Sequence, residues 1–151
     1  MENTNDTNKS ETNTEVNNVN KSESPKKPPN PPKLEDKPFN EFITNYFIPG
    51  LEKSILEKGS IVDEIKLVEG IRPVVGGRCW IVFCKLDNDR KFWLCFNNDK
   101  ITSDKTISLA ESNTEPSIVE SFLIDEKKTT LPLLISRVLQ RLNGQKWIGA
   151  N

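Results

Sequence analysis

The stretch Arg78-Cys79-Trp80-Ile81-Val82-Phe83-Cys84-Lys85-Leu86, followed across Asp87-Asn88-Asp89-Arg90 by Lys91-Phe92-Trp93-Leu94-Cys95-Phe96-Asn97, sets the fold class. Both runs are rich in β-branched and aromatic residues, and the loop between them is short and polar. They read as a β-hairpin. Side chains alternate along a strand, so Trp80, Val82 and Cys84 face one way and Cys79, Ile81 and Phe83 the other. Each face is apolar. Such a pair is either central in a sheet covered on both sides, or it offers one face to a partner.

Upstream, residues 61–69 alternate Ile61, Ile65 and Leu67 with Glu64 and Lys66, the pattern of a half-buried strand. Gly70, Pro73 and Gly76-Gly77 mark its connection to the hairpin. Downstream, residues 106–109 form a weak strand and residues 117–125 a stronger one. Helical spacing brackets these strands. Phe39, Phe42, Ile43, Tyr46, Phe47, Gly50, Leu51 and Ile55 predict a helix from Pro38 to a C′ glycine at Gly59, kinked or broken at Pro49. Leu131, Leu134, Ile135, Val138, Leu139 and Leu142 form the stripe of a second amphipathic helix. Thr129 or Thr130 caps it, Pro132 fits its first turn, and Gly144 stops it. The fold class is therefore α+β: an antiparallel β-sheet of about four to five strands, with an N-terminal and a C-terminal helix packed mainly on one face.

Residues 1–37 contain no Ile, Phe, Trp or Tyr, and they include the run Pro25-Lys26-Lys27-Pro28-Pro29-Asn30-Pro31-Pro32. A segment of this kind buries too little apolar surface to offset its ordering entropy, so residues 1–37 are expected to be a disordered Asn/Pro-rich tail. Its PxxP pattern fits an SH3-like groove, but a spacer role accounts for it more simply. Residues 38–151 are then one domain, which holds every Trp and Phe of the chain.

The 151 residues carry 21 Lys+Arg against 22 Asp+Glu. With a pI near 5.6 there is no basic excess to drive non-specific nucleic-acid binding. No apolar run reaches the roughly 20 residues that a membrane-spanning helix needs, and the first residues lack the pattern of a secretory signal. Histidine is absent, which removes the usual general base and the commonest zinc ligand. Cys79, Cys84 and Cys95 lack metal-ligand spacing and read as small buried hydrophobes of a reducing compartment. Asp125-Glu126 complement the dipole of the following helix rather than form a catalytic pair. Gly76-Gly77 falls short of a phosphate loop, and the strand aromatics read as core rather than as an RNA-stacking platform. No catalytic, cofactor-binding or metal-binding residues are assigned. After the last helix, Arg141, Lys146 and Trp147 bring hot-spot residue types together in a polar segment and are the candidate partner-binding residues. The alternative for Trp147 is a lid folded back on the core. The sheet face of Trp93 and Cys95 is the second candidate surface.

Two groups of motifs carry a family resemblance. The C-terminal group is Ser121-Phe122-Leu123-Ile124-Asp125-Glu126-Lys127-Lys128, Thr130-Leu131-x-Leu133-Leu134 and Leu139-Gln140-Arg141-Leu142-Asn143-Gly144-Gln145-Lys146-Trp147. The other is Phe39-x-x-Phe42-Ile43-x-x-x-Phe47-Ile48-Pro49-x-Leu51 with the strands around Cys79-Trp80 and Phe92-x-Leu94-x-Phe96. Together they resemble a small cyanobacterial and chloroplast family, first described as a domain of unknown function, that includes NdhV. That protein is subunit V of the photosynthetic, complex-I-like NDH complex, which passes electrons from ferredoxin to plastoquinone. The resemblance covers residues 38–151. It implies a non-catalytic, cofactor-free peripheral subunit on the cytoplasmic or stromal side of the thylakoid membrane. Its partners would be protein subunits of the hydrophilic arm, with ferredoxin nearby, and it would bind no nucleic acid. An assembly or stability factor for another thylakoid photosynthetic complex is the alternative. The long tail departs from the family pattern.

Overall fold

The computed structural model of the chain describes residues 33–149 apart from Asp125 and Lys127. Five strands, β1 (Val62–Ile71), β2 (Arg78–Leu86), β3 (Lys91–Phe96), β4 (Lys105–Ala110) and β5 (Glu120–Phe122), form one antiparallel sheet in the order β1-β2-β3-β4-β5. Consecutive strands are neighbours throughout. Helices α1 (Phe39–Phe42), α2 (Ile48–Glu57) and α3 (Leu131–Gly144) complete the α+β domain.

The main core lies between the helices and one sheet face. Phe42, Phe47, Leu51 and Ile55 come from the N-terminal helices and Leu134, Val138 and Leu142 from α3. They meet Val82, Cys84, Phe92, Leu94, Phe96 and Ile107 of the sheet. The helices α2 and α3 approach closely at Gly50, where a Cβ would lie 2.8 Å from Ile135 Cδ1. Only the missing side chain makes room for that contact.

The predicted interruption at Pro49 takes the form of a π-helical turn, Ile43–Phe47, between α1 and α2. The Ile48 N–H donates to the Ile43 carbonyl, and regular α-helix resumes at once over Ile48–Glu57. Widening the turn before a proline relieves the clash between its ring and the preceding turn without ending the helix. Gly59 is the C′ glycine as expected. Its φ is +92°, its N–H donates to Leu56 O at 3.0 Å, and the Ser60 N–H donates to Ile55 O at 3.2 Å.

Other boundaries move for local reasons. Ile61 is exposed rather than inward, because a β-bulge between Val62 and Glu64 shifts the register and turns Val62 toward the core with Ile65 and Leu67. Gly70 lies within β1, opposite Cys79, and not in the connection. The weak strand expected at 106–109 is the full strand β4, paired on both sides. The stronger one shrinks to Glu120–Phe122: Ile118 is exposed, and Leu123 at φ +54° ends the pairing. Thr130, not Thr129, caps α3, its hydroxyl accepting from the Leu133 N–H at 3.3 Å. Gly144 is the last helical residue rather than the stop.

The expected tail lies, for residues 1–32, outside the described residues. Its last part is structured. Leu34–Asp36 form a single 3-10 turn, Leu34 packs on the core, and Glu35 Oε2 accepts from the Leu131 N–H at 2.9 Å. That bond supplies a partner for one of the free amides at the start of α3.

Candidate interaction surface

Arg141, Lys146 and Trp147, predicted to converge on a partner, are dispersed by the cap of α3. Gln145 ends the helix, and Lys146 takes the left-handed conformation at φ +64°. The Lys146 N–H then donates to Asn143 O at 2.9 Å and the Trp147 N–H to Leu142 O at 3.0 Å. This is the paired-bond closure usually built around glycine, and it turns the next residue back onto the helix. Trp147 is therefore 4% exposed and part of the core. Its Nε1–H donates to Glu111 Oε2 at 2.8 Å, and the Arg90 guanidinium lies 5.6 Å from its ring centroid. The lid is the observed arrangement, so Trp147 is not a surface hot spot.

Arg141 is also committed within the fold. Its Nε donates to Glu120 Oε1 at 2.7 Å, its Nη2 to Glu120 Oε2 at 2.6 Å and its Nη1 to Gln145 Oε1 at 2.9 Å. The guanidinium beside Glu120 holds that carboxyl below the usual carboxylate range. Lys146 remains exposed. Glu126 pairs with Arg137 at 3.2 Å, while Asp125 is outside the described residues.

The second predicted surface is on the other side of the sheet. All three helices pack on one face, and among the described residues no helix or strand covers the opposite one. Register places two rows there: Val68, Ile81, Cys95 and Thr106, then Lys66, Phe83, Trp93 and Ser108. Phe83 and Trp93 are half-buried, with ring centroids 5.4 Å apart, and Lys66 Nζ is 5.8 Å from the Phe83 ring. Lys85 and Lys91 sit directly opposite each other at one end, where Asp89 pairs with both and Asp63 with Lys85. At the other end Arg72 reaches across from the β1–β2 loop. Its Nε donates to Thr106 Oγ1 at 3.2 Å and its Nη2 to Asn97 Oδ1. Cys79 and Cys95 lie buried on this face near Arg72. Burial, and then the neighbouring Cys79, push the Cys95 thiol up to about 12.

The protein matches, over residues 33–149, the family described as a protein of unknown function, DUF2996. The chain belongs to this family. The match takes in every strand and helix of the DUF2996 domain, along with the Leu34–Asp36 turn that composition alone had placed in the tail. A comparison with curated proteins finds no match.

Among the described residues, the DUF2996 domain has no cluster of His, Cys, Asp and Glu suited to a metal and no helix long and apolar enough to cross a membrane. A cleft of about 780 Å³ opens between the end of α2 and α3, lined by Glu57, Lys58, Ser136, Gln140 and Asn143 among others. The Ser136 hydroxyl in its wall donates to Leu133 O at 3.2 Å. Sequence reasoning missed Glu111 and Glu120, which no spacing rule links to Trp147 and Arg141. It also passed over Arg72-Pro73-Val74-Val75, where apolar residues in a hairpin turn were themselves a signal.

Proposed function

We propose that this DUF2996 protein is a non-catalytic peripheral subunit of the thylakoid NDH complex, the ferredoxin–plastoquinone oxidoreductase. It would stabilise the hydrophilic arm near the ferredoxin-docking region, on the cytoplasmic or stromal side. The observation that carries the reading is the helix-free sheet face, where Phe83 and Trp93 form an apolar centre, with Lys66 beside the Phe83 ring and the carboxylate-paired Lys85 and Lys91 at one end. Aromatic groups within a charged rim are the composition of protein-docking surfaces. Further support comes from the resemblance of the C-terminal motif and the strand pair to the family of NdhV. Redox centres would belong to neighbouring subunits. An assembly or stability factor for another thylakoid photosynthetic complex would use the same face transiently.

Co-purification separates the two. A tagged full-length chain recovered in stoichiometric amount with intact NDH complex from a mild-detergent thylakoid extract supports the subunit. Recovery on subassemblies alone supports the factor. Trp93→Ala should weaken the association by about 1–2 kcal/mol with little loss of fold stability, and an unchanged affinity would remove the sheet face from the interface.

A further inference from the structure

We propose that the β1–β2 hairpin tip, residues 71–77, is a preformed apolar knob that seats in an acidic-rimmed apolar pocket on a protein partner. The inference rests on the protein-binding reading above. Hairpin turns are ordinarily polar or glycine-rich. Here Ile71 is 60%, Val74 54% and Val75 66% exposed, so these side chains contribute little to the core. The tip is nevertheless closed by its own main-chain hydrogen bonds: the Arg72 N–H donates to Gly77 O at 2.8 Å, the Gly76 N–H to Arg72 O at 3.1 Å and the Val75 N–H to Pro73 O at 2.8 Å.

Val74 is held at φ +72°, a left-handed conformation that a β-branched residue resists and that Asn or Gly would adopt with less strain. Strain retained at an exposed apolar residue marks a shape kept for something other than stability. Below the tip, the Arg72 side chain bonds to Thr106 and Asn97, tying the loop to the sheet. A loop already ordered in this way loses little freedom on binding.

Charge defines the socket. Among the described residues Arg72 forms no ion pair with a carboxylate, and Arg78 meets only Glu69, at 3.8 Å. Two cations at the base of an aliphatic tip are complemented by a pocket that is apolar within and acidic at its mouth. A lipid surface suits the knob less well, because the tip has no aromatic residue and its fixed shape gains nothing in a fluid.

The test compares full-length wild type with Val75→Ser, Val74→Asn and Trp93→Ala. Each is measured for affinity to detergent-solubilised NDH complex, for melting temperature, and for binding to phosphatidylcholine vesicles with and without phosphatidylglycerol. Val75→Ser and Val74→Asn should each weaken association with the complex about tenfold or more. The melting temperature of Val74→Asn should hold or rise. Wild-type affinity should fall as salt is raised. If both loop variants bind like wild type while Trp93→Ala is impaired, the knob is overturned and the subunit reading stands. Wild type that does not bind the complex overturns both. Val75-dependent binding to vesicles, without binding to the complex, overturns the protein socket in favour of a membrane surface.

Discussion

Trp147 and Glu111 are joined by an indole N–H to carboxylate hydrogen bond of 2.8 Å that ties the C-terminal segment to the residue immediately following β4. The same indole packs in the core, and its main-chain carbonyl accepts from Ser60 Oγ at 3.1 Å. Trp147→Ala should therefore cost about 3–5 kcal/mol of stability in a denaturant titration, as for other buried aromatic truncations. A partner-facing tryptophan would cost far less. The bond from Trp147 is the main cause that lowers the Glu111 carboxyl, with Arg90 adding to it. A depressed carboxyl contributes stability above its unfolded value and loses it as pH falls through the folded one. Trp147→Phe should consequently flatten the acid limb of the stability curve.

Glu120 and Arg141 make a second such test. Their two-pronged pair is partly exposed, so Glu120→Gln should lower stability at neutral pH by about 0.5–1 kcal/mol. Glu120 is depressed chiefly by its hydrogen bonds to Arg141. The deficit should be full above the ordinary carboxylate range and shrink as pH falls through the folded value, because wild type then loses its charge as well. A deficit that persists in acid would assign the effect to packing instead.

Lys146 offers a gain. Its φ of +64° is the left-handed conformation that glycine accepts freely, and its side chain is exposed. Lys146→Gly should leave stability unchanged or raise it by up to about 1 kcal/mol, the scale of a favourable change at such a cap. A clear loss, read by thermal unfolding, would mean that the ammonium group has a partner.

These residues show where the sequence was legible. Periodicity located both helices and the β2–β3 hairpin, since those patterns are local and long. The core face of α3 follows directly from its stripe, and Leu134, Val138 and Leu142 are fully buried. Misread positions depend on single backbone events. The bulge at Val62/Glu64 exchanged Ile61 for Val62, and a left-handed Lys146 decided between the two readings of Trp147 in favour of the lid on the core. Neither event has a composition cue, because each is imposed by packing that brings distant residues together. The two-faced apolar character of Arg78–Leu86 left two readings open, a sheet covered on both sides or one face offered to a partner, and among the described residues no helix or strand covers the second face. Glu35 bonding to Leu131 could not be read from either segment alone.

The three cysteines close the functional question of thiol chemistry with a simple measurement. Cys79, Cys84 and Cys95 are free and buried. Burial pushes the Cys84 thiol up to about 12, with nearby Glu52 adding to it. Cys95 is pushed up to about 12 by burial and by Cys79. A thiol raised this far above working pH is almost wholly protonated, and only the thiolate attacks. With Cys84 and Cys95 held protonated and Cys79 shielded by burial, the native protein at pH 8 should react with an aromatic disulfide reagent only as fast as it opens. All three thiols should react promptly in denaturant. Rapid modification of one thiol in the native state would identify it as exposed in solution. If that thiol were Cys79 or Cys95, it would show that the cluster these two form with Ile81 on the open sheet face opens in the native state.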